Sequence, residues 1–205
     1  MGPGPGKNGE VTGVILSGGK SLRMGEDKAF IKVEGIPIIQ RIQETFERIF
    51  TEILIVANDK DRYRHLGLPV YPDLIPRRGA LGGIYTGLFY ATRPYAFFVA
   101  SDMPFVRESV VRYLISRIEG EDALVPRTID GLHPLHAIYS KNCLGAVKEV
   151  LDEGGFRVID FFPRVNTKVI EEADFRGLDP MRESLINVNT PDDLVRIRRE
   201  RGLPR

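Results

Sequence analysis

Apolar residues along the chain fall into short blocks that alternate between continuous runs and helical spacing. Val11–Leu16 is a mostly apolar run that stops at Ser17-Gly18-Gly19, and after a polar loop apolar positions recur at helical spacing over 38–50. The same unit repeats, with strands expected at 52–57, 69–71 and Tyr95–Ala100 and helices at 63–66, 81–91 and 108–119. Strands and helices in alternation predict an α/β fold, a doubly wound and mostly parallel sheet with helices on both faces.

Beyond a further strand at 122–125 the rhythm loosens into a segment at 135–139, a helix at 144–151 and a closing helix at 191–199. Thr190 is the expected N-cap of that last helix and Pro191 its first residue. No second composition regime interrupts 11–205, so one domain is expected there. Residues 1–10, rich in Gly and Pro and nearly devoid of apolar side chains, are expected to be a disordered tail. Gly4, Gly6 and Gly9 in that tail match Gly-x-Gly-x-x-Gly, but with no strand before them and no helix after them the match carries no dinucleotide site.

Composition narrows the class. At 205 residues the chain can bury one sizeable core, and 42% hydrophobic with 28% charged residues is the balance of a soluble globular protein. With 29 Lys+Arg against 28 Asp+Glu there is no global charge to draw nucleic acid or an anionic membrane, so any anion site must be local. The single cysteine, Cys143, excludes an internal disulfide, and no apolar run is long enough for a signal segment or a membrane span. Those features point to the cytoplasm.

In open α/β sheets ligands bind beyond the carboxyl ends of the strands, and four segments in that position are unusual. The loop from Leu16 through Ser17, Gly18 and Gly19 to Lys28 combines glycines with the charges of Arg23 and Lys28, which suits a polyphosphate. Its Gly-Lys-Ser does not close a Gly-x-x-x-x spacing, so it is no Walker A loop, and an ordinary surface loop is the alternative. Asp73 follows the third strand, and Gly79-Ala80-Leu81-Gly82-Gly83 opens a helix whose backbone N–H groups could meet a base or sugar. Asp73 as a turn residue and the glycines as packing residues are equally open.

Asp102 ends an apolar strand and precedes Met103-Pro104, the position of a Mg²⁺ ligand or, failing that, of a turn or N-cap aspartate. Asn187 and Asn189 alternate on an extended segment and so face one side, toward an acceptor or as turn residues. His133 and His136 lack the helix register and the Glu of a metallohydrolase, which leaves them structural or acceptor-side. Cys143 has no charged partner nearby in sequence to make it a nucleophile.

Taken together, Leu16-Ser17-Gly18-Gly19, Arg23-Met24-Gly25, Asp27-Lys28, Asp73, Gly79-Ala80-Leu81-Gly82-Gly83, Ser101-Asp102-Met103-Pro104-Phe105 and Asn187-Val188-Asn189-Thr190-Pro191 resemble the molybdenum cofactor guanylyltransferase family. The resemblance, within the nucleotidyltransferase A superfamily, runs from about Val11 to Leu194. It implies a Rossmann-like fold that uses GTP and Mg²⁺ and transfers GMP to the terminal phosphate of molybdopterin. It also implies transient contact with proteins of cofactor biosynthesis or with molybdoenzymes.

By the same comparison Leu16, Ser17, Gly18, Gly19, Asn58, Asp73, Gly79, Leu81 and Gly82 would line the nucleotide, and Arg23 and Lys28 would hold the triphosphate. Asp102 would bind the metal, and Asn187 and Asn189 would lie toward the pterin. Three residues depart from the commonest family text: Ser17 stands for Ala, Ala80 for Pro and Ser101 for Cys. Gly18-Gly19 is the guanylyl-type pair, whereas cytidylyl and sugar-nucleotide relatives usually carry Ala-Ala-Gly. Transfer of another nucleotide, to a sugar or lactyl phosphate, and nucleotide binding without turnover are the competing readings.

Overall fold

The computed structural model describes residues 8–18 and 28–188, together with 190, 192, 193 and 195. The last residues of the expected tail, Asn8–Glu10, form a turn of 3-10 helix, a correction to the disordered reading, and lead directly into β1 (Val11–Leu16). A hairpin of β2 (Lys32–Val33) and β3 (Ile36–Pro37) follows. Its turn holds Glu34 at φ 55° and Gly35 at φ 82°, the paired left-handed geometry that suits the twist of adjoining strands.

The expected alternation then unfolds as α1 (Ile38–Glu47), β4 (Ile53–Val56), α2 (Lys60–Tyr63), β5 (Val70–Tyr71), α3 (Gly79–Tyr90), β6 (Tyr95–Ala100) and α4 (Glu108–Ser116). The less regular half supplies β7 (Ala123–Thr128), β8 (Gly131–Leu132), β9 (His136–Ser140), α5 (Cys143–Asp152), β10 (Thr167–Glu171) and α6 (Glu172–Phe175). Thr190 behaves as a cap, its Oγ1 accepting from the Asp193 N–H at 3.1 Å, while most of the expected 191–199 helix lies outside the described residues.

The main sheet runs β10-β7-β9-β6-β1-β4-β5, with β8 paired beside β7. β4, β1 and β6 are parallel, β5 is parallel to β4 and β10 to β7, whereas β9 runs antiparallel to both β6 and β7. Mostly parallel is therefore correct, with one antiparallel strand inserted at the centre.

Alternation along the strands divides the core into two layers. Val11, Ile15, Phe97 and Val99 face α1 and α4, and Val14, Ala96 and Phe98 face α3 and α5. α1 offers Ile38, Ile39, Ile42 and Phe46 as one buried stripe, the 3.6-residue period that makes it a helix packed on a sheet. Each such side chain contributes about 1.5–3 kcal/mol by leaving water. α3 instead presents glycine: a Cβ on Gly87 would sit 2.6 Å from Phe98 Cε1, so the helix lies close on the sheet only because that atom is missing.

Candidate functional site

The chain passes from β1 outward to β4 and β5, then returns to β6 on the other side of β1. The point of reversal leaves a crevice at the carboxyl ends of β1 and β6, and the ladder continues past both strand ends there. Ser17 N–H donates to Val56 C=O and Ser101 N–H to Leu16 C=O, each at 2.9 Å, while Ala57 N–H reaches Tyr71 C=O at 2.9 Å. The residues that follow β1, β4, β5 and β6 are thus fixed along one rim.

At the centre of the rim Ser17 Oγ donates to Ser101 Oγ at 2.9 Å and shares a second hydrogen bond, 2.6 Å long, with Tyr63 OH. All three residues are buried. Tyr63 in turn packs on Phe30, with ring centroids 5.4 Å apart, in the short turn that begins at Lys28. One continuous set of contacts therefore connects the turn carrying Lys28 to the end of β6.

Asp102 stands next to Ser101. Its Oδ1 is buried and has no hydrogen-bond partner among the described residues, an omission that costs about 1–3 kcal/mol unless something bound there satisfies it. Burial pushes the Asp102 carboxyl above the ordinary carboxylate range, against the pull of the Lys28 charge and of its own backbone N–H. Among the described residues no three His, Cys, Asp or Glu side chains cluster into a metal cage. A single orphaned carboxylate oxygen fits a hard divalent cation that takes its other ligands from phosphate and water.

On the other flank Asn58 Nδ2 donates to Asp73 Oδ2 at 2.9 Å and the Asp73 N–H donates to Asn58 Oδ1 at 3.0 Å, tying the end of β4 to the end of β5. Burial raises the Asp73 pKa and the Asn58 hydrogen bond lowers it in part. α3 begins nearby with no side-chain cap on its first N–H groups and with Gly79 at φ 57°, a conformation other residues rarely adopt. Those N–H groups and the positive end of the helix can receive a polar or anionic group.

These geometries find counterparts in other proteins. The family model for the MobA-like NTP transferase domain matches residues 13–166. A relative from Pelotomaculum thermopropionicum named "Probable molybdenum cofactor guanylyltransferase" is 40% identical, covering 92% of each chain. The molybdenum cofactor guanylyltransferase of Desulfosudis oleivorans is 36% identical over 90% of this chain and 92% of its own. Molybdopterin-guanine dinucleotide biosynthesis protein A of Archaeoglobus fulgidus superposes with a TM-score of 0.78 at 26% identity, covering 92% of this chain and 97% of the other. The chain belongs to the MobA-like NTP transferase family.

Within this MobA-like domain the structure brings together Leu16, Ser17, Gly18, Asn58, Asp73, Gly79 and Asp102 on one rim, with Lys28 in electrostatic reach of Asp102. Asn187 is exposed beside Val188, whose N–H donates to the Asp102 C=O at 2.7 Å, so the asparagine segment does arrive at the carboxylate. Gly19, Arg23 and Asn189 lie outside the described residues. Leu81 and Gly82 are placed differently from the expectation: the Leu81 side chain is fully buried in the core. A Cβ on Gly82 would meet Ile75 O at 3.0 Å, and one on Gly83 would meet Leu16 Cδ2 at 3.2 Å. The packing alternative therefore accounts for Gly82 and for Gly83.

Tyr63 was not legible as a site residue, because a tyrosine in a short amphipathic turn reads as core. The same holds for Arg107, which donates to Glu183 and pairs with buried Asp179 at 3.2 Å. The Asp-Pro turn at 179–180 was the one available signal. His136 is fully buried, lies edge-on to Phe97 and has its pKa pushed down to about 3 by burial. Burial also pushes the Cys143 thiol up to about 12, which leaves it unreactive.

Proposed function

We propose that this transferase moves GMP from GTP to the terminal phosphate of molybdopterin and releases pyrophosphate, with Mg²⁺ held at Asp102. The observation that carries the reading is the buried, half-unsatisfied Asp102 carboxylate at the end of β6, facing the same rim as Lys28, Ser17 and the uncapped start of α3. The names of the 36% and 40% identical relatives support the substrate pair.

In the reaction an acceptor phosphate oxygen forms a bond to the α-phosphorus as the bond to pyrophosphate breaks in line. The acceptor is ionised near neutral pH, so no protein group has to take its proton. A divalent cation at Asp102 would neutralise charge on the phosphate oxygens. Lys28 adds fixed positive charge for the leaving pyrophosphate, a task it shares with Arg23. Asn58, Asp73 and the first N–H groups of α3 hold base and ribose, and Asn187 with Asn189 meets the pterin. The reaction belongs to the cytoplasm in this reading, with molybdopterin delivered by transient contact with other proteins of the cofactor's synthesis. Among the described residues no helix is long and apolar enough to cross a membrane.

The test is pyrophosphate release with Mg²⁺ and molybdopterin, loaded with molybdenum and not, comparing GTP with CTP, UTP and ATP. Release with GTP alone is expected. Release with CTP alone would keep the chemistry and overturn the base assignment, and no release with any nucleotide would overturn the transferase reading of this acceptor.

A further inference from the structure

The segment 179–188 crosses the end of the sheet with only a short turn of 3-10 helix, Glu183–Leu185, as regular structure. Neither a ladder nor a helix fixes it, yet it ends with the Val188 N–H on the Asp102 C=O and the Val188 side chain fully buried. On its outer side lies a cavity of about 370 Å³ lined by Arg41, Thr45, Arg48, Phe105, Arg107 and Glu183, so tight packing does not hold it from that direction.

What holds it is polar. Asp179 is fully buried, and its Oδ1 pairs with Arg107 Nε at 3.2 Å and accepts from the Glu183 N–H at 3.0 Å. Oδ2 accepts from the Ser184 N–H at 2.9 Å and the Ser184 hydroxyl at 2.6 Å. Arg107 closes the set by donating to Glu183. A buried carboxylate is tolerated when its lone pairs are filled in this way, and removal of one partner leaves an uncompensated charge.

Arg107 begins α4's cap on the chain that has just left Asp102, so the loop 102–107 and the segment 179–188 are tied at both ends, at Arg107 with Asp179 and at Asp102 with Val188. From this double tether we infer that Arg107 and Asp179 form a clamp that positions the acceptor half of the site, setting where Asn187 stands relative to Asp102. The inference rests on the proposed reaction for its substrate. The clamp residues touch neither substrate and act through the segment they hold.

Two readouts on Arg107→Ala and Arg107→Lys test it. In hydrogen exchange on the full chain, Arg107→Ala accelerates exchange in peptides covering 179–188 and leaves those of β1 and β6 unchanged, and Arg107→Lys restores part of the protection. In turnover, Arg107→Ala raises KM for molybdopterin about tenfold or more while KM for GTP stays within about twofold, the split expected when one binding half is loosened. Equal acceleration across β1 and β6, or unchanged exchange at 179–188, overturns the clamp. So does a rise in both KM values together. If the wild-type protein releases no pyrophosphate, the proposed reaction fails, and the clamp is decided by exchange alone.

Discussion

Ser17 Oγ donates a hydrogen bond to Ser101 Oγ at 2.9 Å, joining the ends of β1 and β6 beneath the crevice. Both hydroxyls stand where relatives usually carry residues that form no such pair, and Ser17 also shares a hydrogen bond with Tyr63. Ser17 is only 3% exposed, so its hydroxyl braces the rim rather than touching a ligand. Ser17→Ala is expected to lower unfolding free energy by about 1–2 kcal/mol, the loss of two buried hydrogen bonds, and to keep most of the turnover. Urea unfolding beside pyrophosphate release checks this, and lost turnover at unchanged stability would move the hydroxyl into contact with substrate.

Asn58 and Asp73 exchange two hydrogen bonds, so Asn58→Ala frees the loop after β5 as well as deleting an amide. The variant should raise KM for GTP about tenfold, the effect of one or two hydrogen bonds, with KM for the acceptor little changed. Loss of the amide also lets burial raise the Asp73 pKa further, so the GTP affinity of the variant should weaken at a higher pH than that of the wild type. Calorimetric GTP titrations across the acid range would show this, and an unchanged affinity would remove Asn58 from the nucleotide site.

The parallel centre of the fold was legible because β1, β4 and β6 are buried on both faces and read as short apolar runs, each followed by a helix or a glycine turn. β10 was not, since Thr167-Lys168-Val169-Ile170-Glu171 pairs only with β7 and buries one side chain well, leaving no run and no clean alternation. The direction of β9 was equally hidden: apolar spacing marks a strand and carries no sign of which way it runs. In the site, isolated carboxylates after strands were visible, and Asp73 and Asp102 fall on the rim. Pairings between distant residues, Ser17 with Tyr63 or Arg107 with Asp179, leave no trace in spacing.

Asp102 must be ionised to hold a cation, and burial favours its protonated form while Lys28 opposes that. Protons should therefore compete with Mg²⁺ at a pH above the ordinary carboxylate range. Lys28→Met removes the opposing charge, keeps Asp102 protonated to higher pH and moves the acid limb of Mg²⁺ affinity upward. Asp102→Ala should cut turnover on the order of 10³-fold or more. Metal titrations against pH give the first result, and a limb that stays in place or moves downward would separate Lys28 from the carboxylate.

His136 gives the protein an acid sensitivity independent of its carboxylates. Its imidazole is fully buried with neither ring nitrogen paired among the described residues, and its pKa falls from 6.5 to about 3, burial being the main cause. The His133 ring adds to the fall and Asp179 opposes it. Below about pH 6.5 the unfolded chain takes up a proton that the folded chain refuses until about pH 3, so stability drops as pH falls through that window. The slope approaches about 1.4 kcal/mol per pH unit. His136→Leu keeps an apolar side chain against Phe97 and has no proton to bind. Relative to wild type, the variant should therefore gain about 2 kcal/mol between neutral pH and about pH 5. Urea unfolding of both proteins at the two pH values measures the difference directly, because every other titrating group contributes equally and cancels. A difference that does not change with pH would mean that His136 is charged or solvated in the folded protein.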